Sequence, residues 1–284
     1  MKKNKKNKKT SKRRCLRRWS ELHFWGKVWR VVWMTPVVLL LLSWLLVLLY
    51  RFVYPPVTPL MVQRYVQQLT DSDRKVHFER DYVRLDEISP NLVTAVVCSE
   101  DGMFMYHDGF DVKQLKQSYR ENKRGRRVRG GSTISMQTAK NVFLPHKRTM
   151  WRKAVEAYFT QLIEWVWGKR RIMEVYLNVI EYGDGIYGCE AASQHYFGHS
   201  AKELTRREAA QLAVSLPNPM KINAEKNGPY FRKQTGVVLG RMDKQGKVNL
   251  DMSREERVKR HGKQEGLWDF VKWMRKEKKQ KTKN

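Results

Sequence analysis

The chain has 284 residues, 41% of them hydrophobic and 30% charged, with 57 Lys+Arg against 28 Asp+Glu and a formal net charge of +29. That length and apolar content allow one good core plus tails, and the basic excess points to anionic partners, nucleic acid or anionic lipid. Cys15, Cys98 and Cys189 are odd in number and lack Cys-x-x-Cys spacing, which excludes a cysteine-based zinc site and a disulfide framework.

The charge is concentrated at the ends: residues 1–30 carry 13 Lys/Arg against one Glu, and residues 251–284 carry 12 against 6 acids. The run from Lys2 to Arg18 has no apolar periodicity and predicts disorder. From Val31 to Tyr50, 20 residues depart from strong apolarity only at Thr35, Pro36 and Ser43. At about 1.5 Å per residue such a helix spans the roughly 30 Å hydrocarbon core of a bilayer. A cleaved signal peptide is the alternative. The run exceeds the usual apolar h-region, however, and Tyr50-Arg51-Phe52-Val53-Tyr54-Pro55-Pro56 follows it without a small-residue cleavage site. The expectation is a transmembrane anchor over 31–54 behind a basic cytoplasmic tail, 1–30. The positive-inside rule then puts the rest on the extracytoplasmic side, with Trp19, Trp25, Trp29 and Trp33 at one interface and Tyr50 and Tyr54 at the other. In a bacterium that side is the periplasm or cell-wall space, so nucleic acid is set aside as a partner and the membrane is kept.

Met61, Val62, Tyr65, Val66 and Leu69 recur at helical spacing and predict an amphipathic helix within 57–75. Asp81 to Asp86 alternates and reads as a short extended piece. Ser89-Pro90 opens a helix over Leu92 to Cys98, serine as cap and proline in the first turn. That helix presents Glu100 near its C-terminal end, ahead of a loop with Gly102, His107 and Gly109. Residues 120–129 are charged and Gly-containing, which predicts a mobile surface loop. They lead into Gly130 to Asn141, where glycines and hydroxyls at a helix start turn backbone N–H groups toward an anion and Lys140 adds a point charge. The pattern is not a P-loop, so a nucleotide site is disfavoured. From Trp151 to Trp167 apolar residues recur at three and four, predicting a helix that sets Arg152 and Lys153 beside Glu156. The bland alternative there is an ordinary helical ion pair. Glu100 and Glu156 thus bracket a cluster of cations and hydroxyls, the raw material for moving a proton beside a polyanionic group.

These residues fall into an ordered set of motifs. The first is Glu100-Asp101, Phe104, His107 and Gly109; the second is Gly131-Ser132-Thr133, Gln137, Lys140 and Asn141. The third is Arg152-Lys153, Glu156, Glu164, Lys169, Ile172, Glu174 and Tyr176-Leu177-Asn178. The fourth and fifth are Gly188, Ala191-Ala192, Tyr196-Phe197-Gly198, then Glu208-Ala209-Ala210, Leu212-Ala213 and Leu216-Pro217. In these motifs the chain resembles the monofunctional peptidoglycan glycosyltransferases of glycosyltransferase family 51, the biosynthetic peptidoglycan transglycosylases. It departs from the family pattern at Met136, where the first of two glutamines is usual, at Thr160, often alanine, and at Met173, commonly leucine.

The resemblance implies a mainly α, lysozyme-like glycosyltransferase domain over 55–245 behind the single N-terminal transmembrane helix, at the outer face of the cytoplasmic (inner) membrane. It implies polymerisation of lipid II with release of polyprenyl diphosphate, an activity of cell-wall biosynthesis. By the same resemblance Glu100 is the general base and Glu156 the second catalytic carboxylate. The substrate contacts it implies are His107, Ser132, Thr133, Gln137, Lys140, Asn141, Arg152 and Lys153. Lys140, Arg152 and Lys153 meet the charge on the leaving group, and Glu156 either orients them or helps hold a divalent cation, Mg or Mn. The partners are lipid II, the growing glycan strand, the membrane and other cell-wall synthesis proteins.

Two carboxylates also suit a hydrolase, and lysozyme-like lytic transglycosylases are the runner-up; they act on finished glycan and need no diphosphate-binding cations. A basic membrane-bound adaptor would explain the tails but not the motifs. After Pro219 there is no Ser-x-x-Lys and no Lys-Thr-Gly, so a monofunctional enzyme without transpeptidase chemistry is expected. The extension 246–284 reads as basic and partly disordered, with one short amphipathic helix around Leu267, Trp268, Phe270, Val271, Trp273 and Met274 in possible reach of the membrane surface.

Overall fold

The computed structural model describes residues 24–71, 76–124, 131–145, 149–226 and 228–281. The run from Lys2 to Arg18, Trp19, the loop segment 125–130 with Gly130, and the last three residues lie outside the described residues. The chain divides into two units, Met1–Leu48 and Leu49–Asn284.

The described residues of the first unit belong to helix α1, Phe24–Phe52. Its 29 residues begin seven before the expected 31–54 anchor and end two short of it. At about 1.5 Å per residue the helix is roughly 43 Å long, enough to include the interfacial residues Trp25 and Trp29. It is the one candidate membrane span among the described residues, and its leucines and valines are largely exposed. The two hydroxyls do not break the apolar surface. Thr35 Oγ1 donates to Val31 O at 2.8 Å and Ser43 Oγ to Leu40 O at 2.7 Å, so both are satisfied within the helix. One N-terminal apolar helix of this kind fits a single-pass anchor.

The second unit is mainly helical. Helix α2 (Pro59–Thr70) starts on a Thr58 cap, with Thr58 Oγ1 accepting from Met61 N at 3.3 Å. Strand β1 (Glu79–Arg80) and a 3-10 turn (Leu85–Glu87) follow. The expected extended piece at 81–86 is therefore displaced. The strand lies two residues earlier, and Leu85 is folded into the turn because its side chain is buried and its N–H donates to Glu174 Oε2 at 3.2 Å. Helix α3 (Pro90–Glu100) begins at Ser89, as its Ser-Pro start predicts. Helix α4 (Val112–Lys123) runs into the segment expected to be loop. Asp111 caps it by accepting from Gln114 N at 2.9 Å, and Gln117 and Glu121 pair along its face. Helices α5 (Ile134–Phe143), α6 (Met150–Val166) and α7 (Gly168–Val179) carry the second and third motifs.

Strands β2 (Glu181–Gly183) and β3 (Ile186–Tyr187) complete a small sheet in the order β1-β3-β2, with β1 parallel and β2 antiparallel to β3. Helices α8 (Cys189–Phe197), α9 (Arg206–Ser215) and α10 (Pro229–Gln245) follow. Two packed groups make the core: α3 lies against α9 and α10, and α5 against α6 and α7. Their inner faces bury Leu92, Val96, Ile134, Leu162, Ile172 and Leu212. Residues beyond 246 form α11 (Arg254–His261) and α12 (Leu267–Lys281), two helices in place of one short one. Leu267 and Phe270 of α12 pack against a buried cluster of Phe110, Val112 and Met136, so this face turns to the protein core and not to a membrane surface. Met136, the departure from the family's glutamine, is thereby an apolar core residue.

Candidate active site

Glu100 is the last residue of α3, and its position follows from that helix's packing. Ser89 Oγ accepts from Asn91 N at 3.4 Å and donates to Leu204 O at 2.9 Å, which fixes the start. Leu92, Val93, Ala95, Val96 and Val97 are buried, which fixes the rotation. The helix ends at Asp101, whose extended backbone turns the chain away and leaves Glu100 at a cleft of about 920 Å³. Ser132, Gln137, Gln114, Tyr230 and Arg241 share its lining.

Asp101 is the joint between the first two motifs. One carboxylate oxygen accepts from Ile134 N at 3.0 Å, at the positive end of α5. Both oxygens lie 3.0 Å from His107 Nε2. His107 is only 2% exposed, with Nε2 engaged by Asp101. Thr133 is likewise internal: its hydroxyl donates to Gly109 O at 2.7 Å and accepts from Met136 N at 3.2 Å, capping α5. Asn141 is buried as well. All three were expected as substrate contacts; His107 and Thr133 are bonded into the frame that joins α5 to the Glu100 loop, and Asn141 is buried in α5.

Gln137 connects that frame to Glu100. Its Nε2 donates to Glu100 Oε2 at 2.7 Å, and its Oε1 accepts from the buried Tyr176 hydroxyl at 3.2 Å. Burial pushes the Glu100 carboxyl above the usual glutamate range; the Gln137 bond opposes the rise, Asp101 adds to it, and Lys140 opposes it.

The cations gather around Glu156, one to two turns into α6. Glu156 is 1% exposed, with Oε2 accepting from Arg152 Nη1 at 2.9 Å and Oε1 in close contact with Lys153 Nζ. Lys153 Nζ also donates to Ser132 Oγ at 3.3 Å, joining α6 to the start of the second motif. Lys140 sits in the fields of both Glu156 and Glu100. Burial lowers its pKa, Glu156 raises it, and Arg152 and Lys153 lower it. The structure thus brings Glu100, Gln137 and Ser132 to one cleft, and joins Arg152, Lys153 and Glu156 into one cluster. Both oxygens of Glu156 face cations, Oε2 toward Arg152 and Oε1 toward Lys153.

Behind the site, Lys169 Nζ pairs with Glu164 Oε1 at 2.7 Å, both almost fully buried, and lies 4.5 Å from the Phe104 ring centroid. Ser135 Oγ donates to the same carboxylate oxygen. Gly109 completes this contact: it has φ +93, and a Cβ there would lie 3.0 Å from Thr160 Cγ2 and 3.1 Å from Glu164 Cγ. Asp101 and Tyr176 were present in the sequence motifs but not as site residues. Tyr230 and Arg241 carried no sequence signal, because α10 meets the cleft only through tertiary packing.

The transglycosylase family model matches residues 65–243. A biosynthetic peptidoglycan transglycosylase of Caulobacter vibrioides is 52% identical over 189 residues, covering 66% of this chain and 80% of that protein. One from Bacteroides thetaiotaomicron is 46% identical over 199 residues, 70% of this chain and 80% of that protein. One from Pasteurella multocida is 41% identical over 226 residues, 80% of this chain and 92% of that protein.

Proposed function

The chain belongs to the transglycosylase family and is a peptidoglycan glycosyltransferase of cell-wall biosynthesis with the family's lysozyme-like, mainly helical domain; on that premise we propose that it polymerises lipid II by inverting transfer with Glu100 as general base. The acceptor's 4-hydroxyl oxygen attacks the anomeric carbon of the donor strand. Its proton passes to Glu100, the bond from that carbon to the diphosphate oxygen breaks, and the electron pair leaves with the polyprenyl diphosphate. The observation that carries this reading is Glu100 itself, a cleft carboxylate held by Gln137 and raised in pKa by burial. A base whose pKa moves toward the working pH is better matched to proton transfer than an ordinary glutamate.

Lys140, Arg152 and Lys153 supply positive charge for the leaving diphosphate. Glu156 is 1% exposed and holds Arg152 and Lys153 in place through its two ion pairs, which suits a positioning role. That argues against a two-carboxylate hydrolase, in which both groups must flank the scissile bond. The proposed setting is the outer face of the inner membrane, with the domain extracytoplasmic behind α1. The proposed product is uncrosslinked glycan, and no step is routed through a metal ion. The test is incubation of the purified protein with labelled lipid II: glycan polymer and free polyprenyl diphosphate are expected. Release of soluble disaccharide by water, without polymer, overturns the reading.

A further inference from the structure

We propose that His77, Glu79 and His195 bind a divalent transition metal, with Zn²⁺ the best chemical match, at a site outside the active-site cleft. The proposal does not depend on the reading of the glycosyl-transfer site. His77 and Glu79 lie at the start of β1, and His195 in the last turn of α8. Their side chains converge with all three potential ligand atoms within 4.8 Å of one another. Glu79 Oε1 is 3.2 Å from His77 Nε2, and Glu79 Oε2 is 3.1 Å from His195 Nδ1. Two ligand atoms about 2.0–2.1 Å from one tetrahedral ion stand roughly 3.3 Å apart, so both pairs already have the separation that a shared ion imposes.

The histidines are arranged as ligands in a second respect. His77 Nε2 is buried and has no hydrogen-bond partner, although Glu79 lies close, because the approach is not along an N–H direction. A nitrogen placed in this way offers its lone pair to an ion. His195 uses Nδ1 toward Glu79, while its other nitrogen, Nε2, lies 3.0 Å from Glu225 Oε1. A carboxylate on the far nitrogen fixes the tautomer and orientation and raises ligand basicity, the usual outer-shell arrangement of metal-bound histidine.

The positions are held by backbone. His77 N donates to Gln68 Oε1 at 3.1 Å, Glu79 N donates to Gly185 O at 2.8 Å, and the His77 carbonyl packs where a Cβ on Gly185 would be. A pocket of about 370 Å³ lined by His77, His195, Tyr196, Asn223 and Glu225 leaves room for water or another ligand in the fourth position. Two imidazoles and one carboxylate suit Zn²⁺ better than Mg²⁺ or Ca²⁺, which prefer oxygen ligands throughout. A bound ion would tie β1 to the end of α8.

The full chain in detergent, stripped with chelator, is titrated with Co²⁺ as a spectroscopic probe and then with Zn²⁺. One equivalent of Co²⁺ with d–d absorption of a low-coordinate nitrogen/oxygen site, displaced by Zn²⁺, is expected. His77→Ala and His195→Ala should each abolish it, and Glu225→Gln should weaken affinity by about 10–100-fold. Zn²⁺ should raise the Tm of the wild type but not of His77→Ala. The isosteric Glu79→Gln, with a metal-free Tm matched to the wild type, keeps the test valid should an alanine variant fold poorly. No stoichiometric uptake by the wild type overturns the proposal, as does uptake unchanged in His77→Ala, His195→Ala and Glu79→Gln; either result reduces the cluster to histidines lying beside carboxylates.

Discussion

Gln137 holds Glu100 from one side and is itself held by Tyr176, so the orientation of the cleft carboxylate is set by a residue on α7 with no opening to solvent. The bond from Gln137 favours the charged form of Glu100, against the burial that disfavours it. Removing it in Gln137→Ala should move the Glu100 pKa further up. Under the proposal that Glu100 acts as a deprotonated base, the acid limb of the pH–rate profile should shift to higher pH in this variant. Tyr176→Phe leaves the Gln137 donor in place, so it should lower turnover with a smaller shift of that limb.

Glu100→Gln separates chemistry from stability. The amide cannot accept a proton, so polymerisation should fall by about 10²–10⁴, with binding of a polyprenyl diphosphate analogue retained. Stability should move the other way. Since the folded pKa of Glu100 is raised above the unfolded value, the native state is penalised as pH rises through that window, and the penalty is complete above the folded pKa. Glu100→Gln should therefore have the higher Tm at neutral pH, and the difference should vanish once pH drops below the ordinary glutamate range. A Tm lower than wild type at neutral pH contradicts the burial argument.

The cation cluster should be sensitive to salt and to single charges. Lys140→Met and Lys153→Met are expected to weaken both diphosphate-analogue binding and turnover, and wild-type affinity should fall with added salt as the attraction is screened. Glu156→Gln leaves Arg152 and Lys153 without a counter-charge. The loss is expected at roughly 1–3 kcal/mol, below the 3–5 kcal/mol for a fully buried pair, because Lys153 is 42% exposed and can turn to water. Denaturant unfolding of this variant measures it.

Lys169→Met tests the support behind the site. Glu164 would keep its place at 5% side-chain exposure without its cation, so a loss of about 3–5 kcal/mol is expected. Gly109→Ala should be destabilised from the same side, by left-handed backbone strain of about 1–2 kcal/mol and by crowding against Thr160 and Glu164. Thermal melts of the two variants, set beside Ser132→Ala as a cleft-surface control, check the expectation.

Much of this was legible from local rules. Ser89-Pro90 and the hydroxyls before Ile134 are helix starts whose chemistry is local, and they fell where expected. The Arg152, Lys153 and Glu156 grouping follows from helical spacing alone. What spacing does not encode is which way a polar residue faces. His107 and Thr133 resemble substrate contacts in a motif, but they are turned inward by bonds to Asp101 and to the Gly109 carbonyl, pairings that no helical spacing encodes. The 3-10 turn at Leu85 was hidden for the same reason, since its N–H partner is Glu174. The amphipathic pattern of α12 was legible, but it pointed to the membrane surface because its apolar partners Phe110, Val112 and Met136 are far upstream.

The docking of α12 has a temporal consequence. Phe270 follows Phe110 by 160 residues, so when α4 and α5 have been synthesised their shared apolar patch still has no cover. Every residue of the cleft can be present while this side of its wall is unfinished, and incompletely covered apolar surface is where growing chains are captured by one another. The last helix thus acts as a completion step. A chain stopped before Leu267 should keep the cleft residues but leave Phe110, Val112 and Met136 uncovered, and is expected to accumulate as aggregate.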